Sequence, residues 1–279
     1  MAFVDVGAMV RVPRDDPPMT MGRTMRRVHP EPAGDVDVDE AYGAVTRPPP
    51  ASRPWVMVTM IATLDGAVTV DGRSGSLGNR NDSAVLMATR AAADVVLVGA
   101  GTVRAEGYGR PSKPGQRIGV VTATGDIDIA LELFASGSGF LVVPEGASTP
   151  PEVPTLRIGD GRVDLGAAIG ALASYLGEPV SVVQVEGGPN LNAQLVDADL
   201  VDEFNVTIAP MVVGGSAARL SAGTAVSLQA LDLAHRAGGR RGLRVHSLDR
   251  PALSFSNSSS SRWKSAAASK SLYTLAKRR

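Results

Sequence analysis

Apolar residues fall along this chain in short unbroken runs. Residues 55–62 (WVMVTMIA), 95–98 (VVLV), 118–122 (IGVVT), 140–143 (FLVV), 181–185 (SVVQV) and 204–208 (FNVTI) are rich in β-branched residues and lack strict alternation. Runs of this length and composition predict strands buried on both faces. Helical spacing fills the intervals. Residues 82–93 (DSAVLMATRAAA) predict a helix with Asn81 or Asp82 as N-cap. In 164–177, Leu165, Ala168, Ile169, Leu172 and Leu176 share one face, Asp164 caps the start and Gly177 the end. A further helix is predicted over 190–197. The alternation of strand and helix predicts an α/β fold with a mostly parallel central sheet flanked by helices. Two weaker runs, Leu243–Ser247 and Leu272–Leu275, predict a closing antiparallel C-terminal hairpin.

The flanks read differently. Residues 1–50 are rich in Pro, Arg and Asp and offer little to a core, so they predict an extension, partly disordered. Asp37–Val45 suits a short helix, and Pro48-Pro49-Pro50 a stiff connection. Met19, Met21 and Met25 are alternative translation starts. Residues 51–279 are expected to form one domain, ordered from Pro54. It carries a Ser-rich stretch, about 254–271, that reads as an exposed connection.

Composition narrows the function. Lys+Arg and Asp+Glu each total 28, so the formal net charge is zero, which argues against a nucleic-acid partner. With 0 Cys, disulfides and thiolate zinc sites are excluded, and no metal centre is expected from 3 scattered His. Aromatics make up 4%, too few for a base-stacking platform. No apolar run approaches the roughly 18 residues that span a bilayer, and the N-terminus has no signal-peptide core, so a cytoplasmic protein with no membrane partner is expected.

The candidate chemistry lies in three turns that each follow a predicted strand: Asp65-Gly66, Gly99-Ala100-Gly101-Thr102 and Glu186-Gly187-Gly188-Pro189. In an open parallel sheet such turns converge on one edge, where ligands bind. Two glycines let backbone approach a ligand closely, and Pro189 suits the first turn of a helix. A phosphorylated or dinucleotide ligand fits that combination. The second turn has Arg104 where a Rossmann fingerprint needs its third glycine, and no Walker lysine pattern exists, so neither motif is assigned. Arg90 is either a solvated helix charge or a phosphate clamp. Asp65 is at its simplest a turn residue.

Taken in order, Ala62-Thr63-Leu64-Asp65-Gly66, then 71–75 (DGRSG), then 98–106 (VGAGTVRAE), then Val185-Glu186-Gly187-Gly188-Pro189, then Ile208-Ala209-Pro210 and Val213-Gly214-Gly215 resemble the RibD C-terminal domain family. These are the pyrimidine reductases of bacterial riboflavin biosynthesis, and the likeness spans about residues 54–248. It implies a dihydrofolate-reductase-like fold and NADPH as cofactor. It implies reduction of the ribosyl group of 5-amino-6-(5-phosphoribosylamino)uracil to ribityl, with hydride delivered to C1′ of an opened, imine-like sugar. On the matching positions it places the cofactor against Ile61, Ser76, Thr102, Glu106, Gly187, Gly188, Pro189, Asn190 and Leu191, with Thr122 or Thr124 at the 2′-phosphate. It places substrate against Ser74, Arg90, Arg110 and Glu186. Glu186 is the first candidate to act on the imine and Asp65 the second. Relatives dimerise, so a homodimer is expected. Many also carry an upstream deaminase domain, for which residues 1–50 are too short, so a stand-alone reductase is expected. The alternatives are reduction of the 2,5-diamino pyrimidine before deamination, reduction of a pterin such as dihydrofolate, or a non-catalytic nucleotide-binding module.

Overall fold

The computed structural model describes residues 24–223 and 226–238, and the backbone of 244–249. The chain enters through strands β1 (Thr24–His29) and β2 (Gly34–Asp37) and a short π-helical turn, Asp39–Gly43. The central units follow: β3 (Trp55–Thr63), α1 (Arg80–Ala92), β4 (Val95–Gly99), α2 (Ala100–Glu106) and β5 (Arg117–Val121). Next come α3 (Glu132–Ala135), β6 (Gly139–Val143), β7 (Thr155–Arg157), α4 (Leu165–Leu176), β8 (Val182–Val185), α5 (Pro189–Asp197) and β9 (Glu203–Ala209). A hairpin of β10 (Asp232–Gly238) and β11 (Arg244–Asp249) closes the described chain.

All eleven strands join one sheet in the order β2-β1-β10-β11-β9-β3-β8-β4-β5-β6-β7. From β9 to β7 every neighbouring pair is parallel, and from β9 outward to β2 every pair is antiparallel. The unbroken apolar runs now have their reason. Val95 and Leu97 pack with α4 and α5 through Leu165, Ile169, Leu172, Leu191 and Leu195. Their neighbours Val96 and Val98 point to the opposite face, against Ala100, Val103 and Leu133. Successive strand residues face opposite ways, so a sheet covered on both faces needs apolar residues at every position.

Helix ends follow local chemistry. Asp164 accepts from the Ala167 N–H at 3.0 Å and Gly177 closes α4 at φ +73°. In α1 the cap is Asn79, whose side chain accepts from Asn81 N–H at 2.9 Å, two or three residues before the expected cap. The second glycine turn is itself the start of a helix, α2.

Residues 24–37 add two strands to the sheet, and 38–47 pack beside it. Strand β1 pairs with β10, and Met25, Val38 and Tyr42 pack against Val85 and Ala88 of α1. Arg47, with its side chain 2% exposed, pairs with Glu203 at 2.7 Å and donates to the Tyr42 carbonyl. Trp55 Nε1 also donates to Glu203. The π-helical turn falls within the predicted helix over Asp37–Val45. The hairpin partner of Leu243–Ser247 is the upstream strand β10, whose Asp, His and Arg give no apolar run to read. Leu272–Leu275, the Ser-rich stretch and residues 1–23 lie outside the described residues.

Candidate active site

Strands β3, β8 and β4 are adjacent and parallel, so the turns after them open on one edge of the sheet, as the three glycine turns require. The strand order also reverses here: the chain moves outward from β4 to β7 and returns to place β8 between β3 and β4. Ligands of open α/β sheets bind at this kind of crevice. A cleft of about 790 Å³ occupies it.

The cleft floor is made of glycines in close contact. The Gly99 N–H donates to the Gly187 carbonyl at 2.7 Å. A Cβ on Gly99 would lie 3.2 Å from the Gly188 nitrogen, and one on Gly188 would lie 2.9 Å from Thr102 Oγ1. Gly187 has φ +76°, a backbone conformation L side chains rarely adopt, and its added Cβ would meet Met60 Sδ at 2.8 Å. The Gly187-Gly188 peptide is cis. Pro189 then opens α5 at its first position, as expected.

Glu186, 7% exposed, sits between this floor and α1. Its Oε1 accepts from Arg90 Nε at 2.5 Å and from Gln184 Nε2 at 3.0 Å. Its Oε2 accepts from Arg90 Nη2 at 2.6 Å and from the Tyr108 hydroxyl at 2.7 Å. The Arg90 guanidinium also lies 5.6 Å from the Tyr108 ring centre. Burial, and then the Glu186 carboxylate, push the Tyr108 phenol well above its ordinary pKa, so it keeps its proton and donates. Four donors fill the acceptor positions of Glu186 and fix its carboxylate in one orientation.

The family model of the RibD C-terminal domain matches residues 54–241. The chain belongs to the RibD C-terminal domain family. Among relatives, it is 29% identical over 184 residues to the 2,5-diamino-6-ribosylamino-4(3H)-pyrimidinone 5′-phosphate reductase of Methanothermobacter thermautotrophicus, covering 60% of this chain and 82% of that one. The Archaeoglobus fulgidus protein of the same name is 25% identical over 185 residues, covering 58% and 83%. Among solved structures, a pyrimidine reductase-like protein from Corynebacterium diphtheriae superposes with TM-score 0.66 at 20% identity, covering 77% of this chain and 98% of that one. At that identity the superposition speaks for the fold.

Of the residues matched to the RibD family motifs, Ile61, Ser74, Thr102, Glu106, Thr122, Thr124, Glu186, Gly188, Pro189, Asn190 and Leu191 line the cleft together. Gly187 supports it from beneath through its bond to Gly99. Glu106 accepts from the Ser74 N–H at 2.6 Å and so ties the loop after β3 to the end of α2. Four residues stand elsewhere. Arg90 does not line the cleft; its guanidinium is taken up by Glu186, so it holds the carboxylate rather than presenting a phosphate clamp. Asp65 is exposed and accepts from Thr63 Oγ1 and from the Val213 and Gly214 N–H groups. Those bonds, the Thr63 hydroxyl first, hold its carboxyl down at about 2, so Asp65 clamps a turn and carries no proton to donate at neutral pH. Ser76 and Arg110 are exposed and outside the cleft lining.

Sequence reasoning did not single out Tyr108, Gln184 or Arg162, and it read Asp82 only as a helix cap. For Tyr108 a signal existed: one of only 4 Tyr in the chain lies two residues past Glu106. The other three gain meaning only when strands far apart in sequence become neighbours.

Proposed function

We propose that this RibD-family chain is an NADPH-dependent reductase that converts the ribosyl group of a 5′-phosphorylated ribosylaminopyrimidine to ribityl. The observation that carries this reading is the juxtaposition, in one cleft, of a floor of glycines in close backbone contact and a buried carboxylate held by Arg90, Tyr108 and Gln184. The bare backbone at Gly99 and Gly188 suits the close approach of a pyrophosphate. Thr122 and Thr124 offer hydroxyls at the end of β5, and Arg162 lines the same cleft with its side chain unpaired among the described residues. A cleft that offers both an unpaired guanidinium and hydroxyls suits the 2′-phosphate that distinguishes NADPH from NADH.

Bound there, a nicotinamide cofactor supplies the hydride. The residues of the chain do the rest. Arg90 and Gln184 lock the Glu186 carboxylate, and Tyr108 supplies a neutral donor that does not ionise. Their fixed field faces the sugar carbon as it gains positive character in an opened, imine-like form. On the heterocycle, the sequence resemblance names the 5-amino-uracil form, and the archaeal relatives carry the 2,5-diamino form in their names. The reading includes a cytoplasmic homodimer. What supports association is an exposed apolar group, Leu64, Met211 and Val212, joined by a bond from Leu64 N–H to the Met211 carbonyl.

Thermal melting tests the cofactor. NADPH at about a hundred times its Kd adds roughly 2.7 kcal/mol and raises Tm accordingly. NADH at the same concentration is expected to do less, and Arg162→Ala to bring the NADPH shift down to the NADH value. No shift with either nucleotide would remove the cofactor from this reading.

A further inference from the structure

Charge is balanced over the whole chain, with Lys+Arg and Asp+Glu at 28 each, but not over its closing hairpin. Residues 233–248 hold Arg236, Arg240, Arg241 and Arg244 and no Asp or Glu. Strand pairing sorts the residues on strands into rows. Arg26 of β1, Gly238 of β10 and Arg244 of β11 are register partners, and so are His29, Arg236 and His246. The bulge after Arg27 keeps His29 in step with Arg236. Register partners stand on one face of a sheet, and positions two apart along a strand share that face. The two rows are therefore neighbours on one face, and every position but Gly238 is basic.

That face is turned away from α1. Ala237, which lies between the rows on β10, is buried with Met25 and Tyr42 against Val85 and Ala88 of α1, so Arg236 and Gly238 face the other way. On their side the apolar core around α4 and α5 reaches Phe204 and Val206 of β9 and takes in no described residue of β1 or β10. Arg26 is exposed. Among the described residues neither Arg26 nor Arg236 forms an ion pair, and the buried Nε of Arg236 has no hydrogen-bond partner. Asp35, the register partner of Arg26 on β2, is the acid at the outer end of the first row, and no ion pair joins the two. His29 donates through Nε2 to the Leu233 carbonyl at 2.9 Å, so the arginines are the free donors of this face.

Like charges opposite one another on neighbouring strands destabilise a sheet, and a bound anion removes that cost. Arginine forks read phosphate oxygens in bidentate pairs. Gly238 leaves the middle of the first row bare, so an anion can approach the backbone there. Neighbouring strands lie about 4.8 Å apart, which sets Arg26 and Arg244 about 10 Å apart, wider than one phosphate group. No Phe, Tyr or Trp stands in either row to stack a base, so the face is suited to phosphate and not to a nucleobase. We propose that the outer face of β1, β10 and β11 binds, through Arg26, Arg236 and Arg244, a small ligand that carries two or more linked phosphate groups. The site is separate from the glycine-floored cleft and does not depend on the reductase reading. Its ligand bridges β1 to the hairpin, so binding holds the N-terminal strands on the sheet.

The probe is inorganic triphosphate, followed by calorimetry and thermal melting on the full chain and its variants, with orthophosphate at equal ionic strength as control. The wild type is expected to bind triphosphate and gain Tm, and to respond far less to orthophosphate. Arg236→Gln should weaken the triphosphate Kd by at least about tenfold, the usual loss for a hydrogen bond to a charged group. Arg26→Gln, at an exposed position, should weaken it similarly and serves if the first variant does not fold. Gly238→Glu sets a carboxylate between the arginines, so it should abolish binding and raise Tm in the absence of ligand. Gly188→Val, which crowds the cleft floor at Thr102, should leave triphosphate binding intact. No binding to the wild type, equal response to both phosphates, or an unchanged Kd in both arginine variants would overturn the site. Loss of binding in Gly188→Val would move the phosphate into the cleft, and binding of single-stranded RNA without binding of triphosphate would make the face a nucleic-acid surface; either result overturns the proposal. None of these readouts requires turnover, so failure of the reductase reading leaves them unaffected.

Discussion

Arg90→Met should leave a folded but less stable protein that has lost turnover. The substitution keeps the stem of the side chain and removes two of the four donors to Glu186. The Glu186 side chain is 4% exposed and that of Arg90 is 21% exposed. Breaking a buried pair from one side strands the other charge and costs about 3–5 kcal/mol. The lower end applies, because Gln184 and Tyr108 remain. Near 3 kcal/mol, Tm should fall by about 6–10 °C for a domain of this size. The double variant Arg90→Met/Glu186→Gln should recover part of that loss, since no charge is then stranded, yet stay inactive. Recovery of activity in the double variant would mean that the pair serves stability alone.

Gly188→Val should do the reverse, keeping stability and losing the cofactor. Gly188 has φ −76° and ψ −173°, an extended conformation open to any residue, so the backbone is not strained by a side chain. The added Cβ meets Thr102 Oγ1 at 2.9 Å, and its methyl groups enter the cleft over the glycine floor. The NADPH-induced Tm shift should vanish and kcat/KM fall by at least about 100-fold, or roughly 2.7 kcal/mol. Gly146→Ala, where an added Cβ meets nothing within 4 Å, is the matched control and should leave both readouts intact.

The contrast between these variants shows what can be read from a one-dimensional chain. Gly99, Gly187, Gly188 and Pro189 carry local signals, because a glycine turn between a strand and a helix is written in consecutive residues. Their convergence followed from the parallel order of the strands before them. Doubly buried strands such as 95–99 also stand out, because both faces demand apolar residues. Strands β1 and β10 do not. Residues 24–29 (TMRRVH) and 232–238 (DLAHRAG) lie in the antiparallel flank of the sheet, and charged residues interrupt any apolar run there. The roles of Arg90 and Asp65 were hidden for another reason. Arg90 meets its carboxylate 96 residues away and Asp65 meets its amides 148 and 149 residues away. Neither spacing leaves a periodic trace, so an arginine that orients a glutamate looks the same in sequence as one that clamps a phosphate. Asp82 looks like an ordinary helix-start acid until the fold sets it in the lining of the cleft.

What remains to be tested is whether one cleft holds NADPH on its glycine floor and presents a phosphoribosylamino pyrimidine to it beside Glu186. The measurement that reaches it most directly follows NADPH absorbance with the 2,5-diamino and the 5-amino-uracil compounds as substrates and dihydrofolate as control, and identifies the product by mass. One NADPH should be consumed per pyrimidine, the product should be two hydrogens heavier with the sugar opened to ribityl, and dihydrofolate should not be reduced. NADPH that binds but is consumed with neither pyrimidine would contradict it.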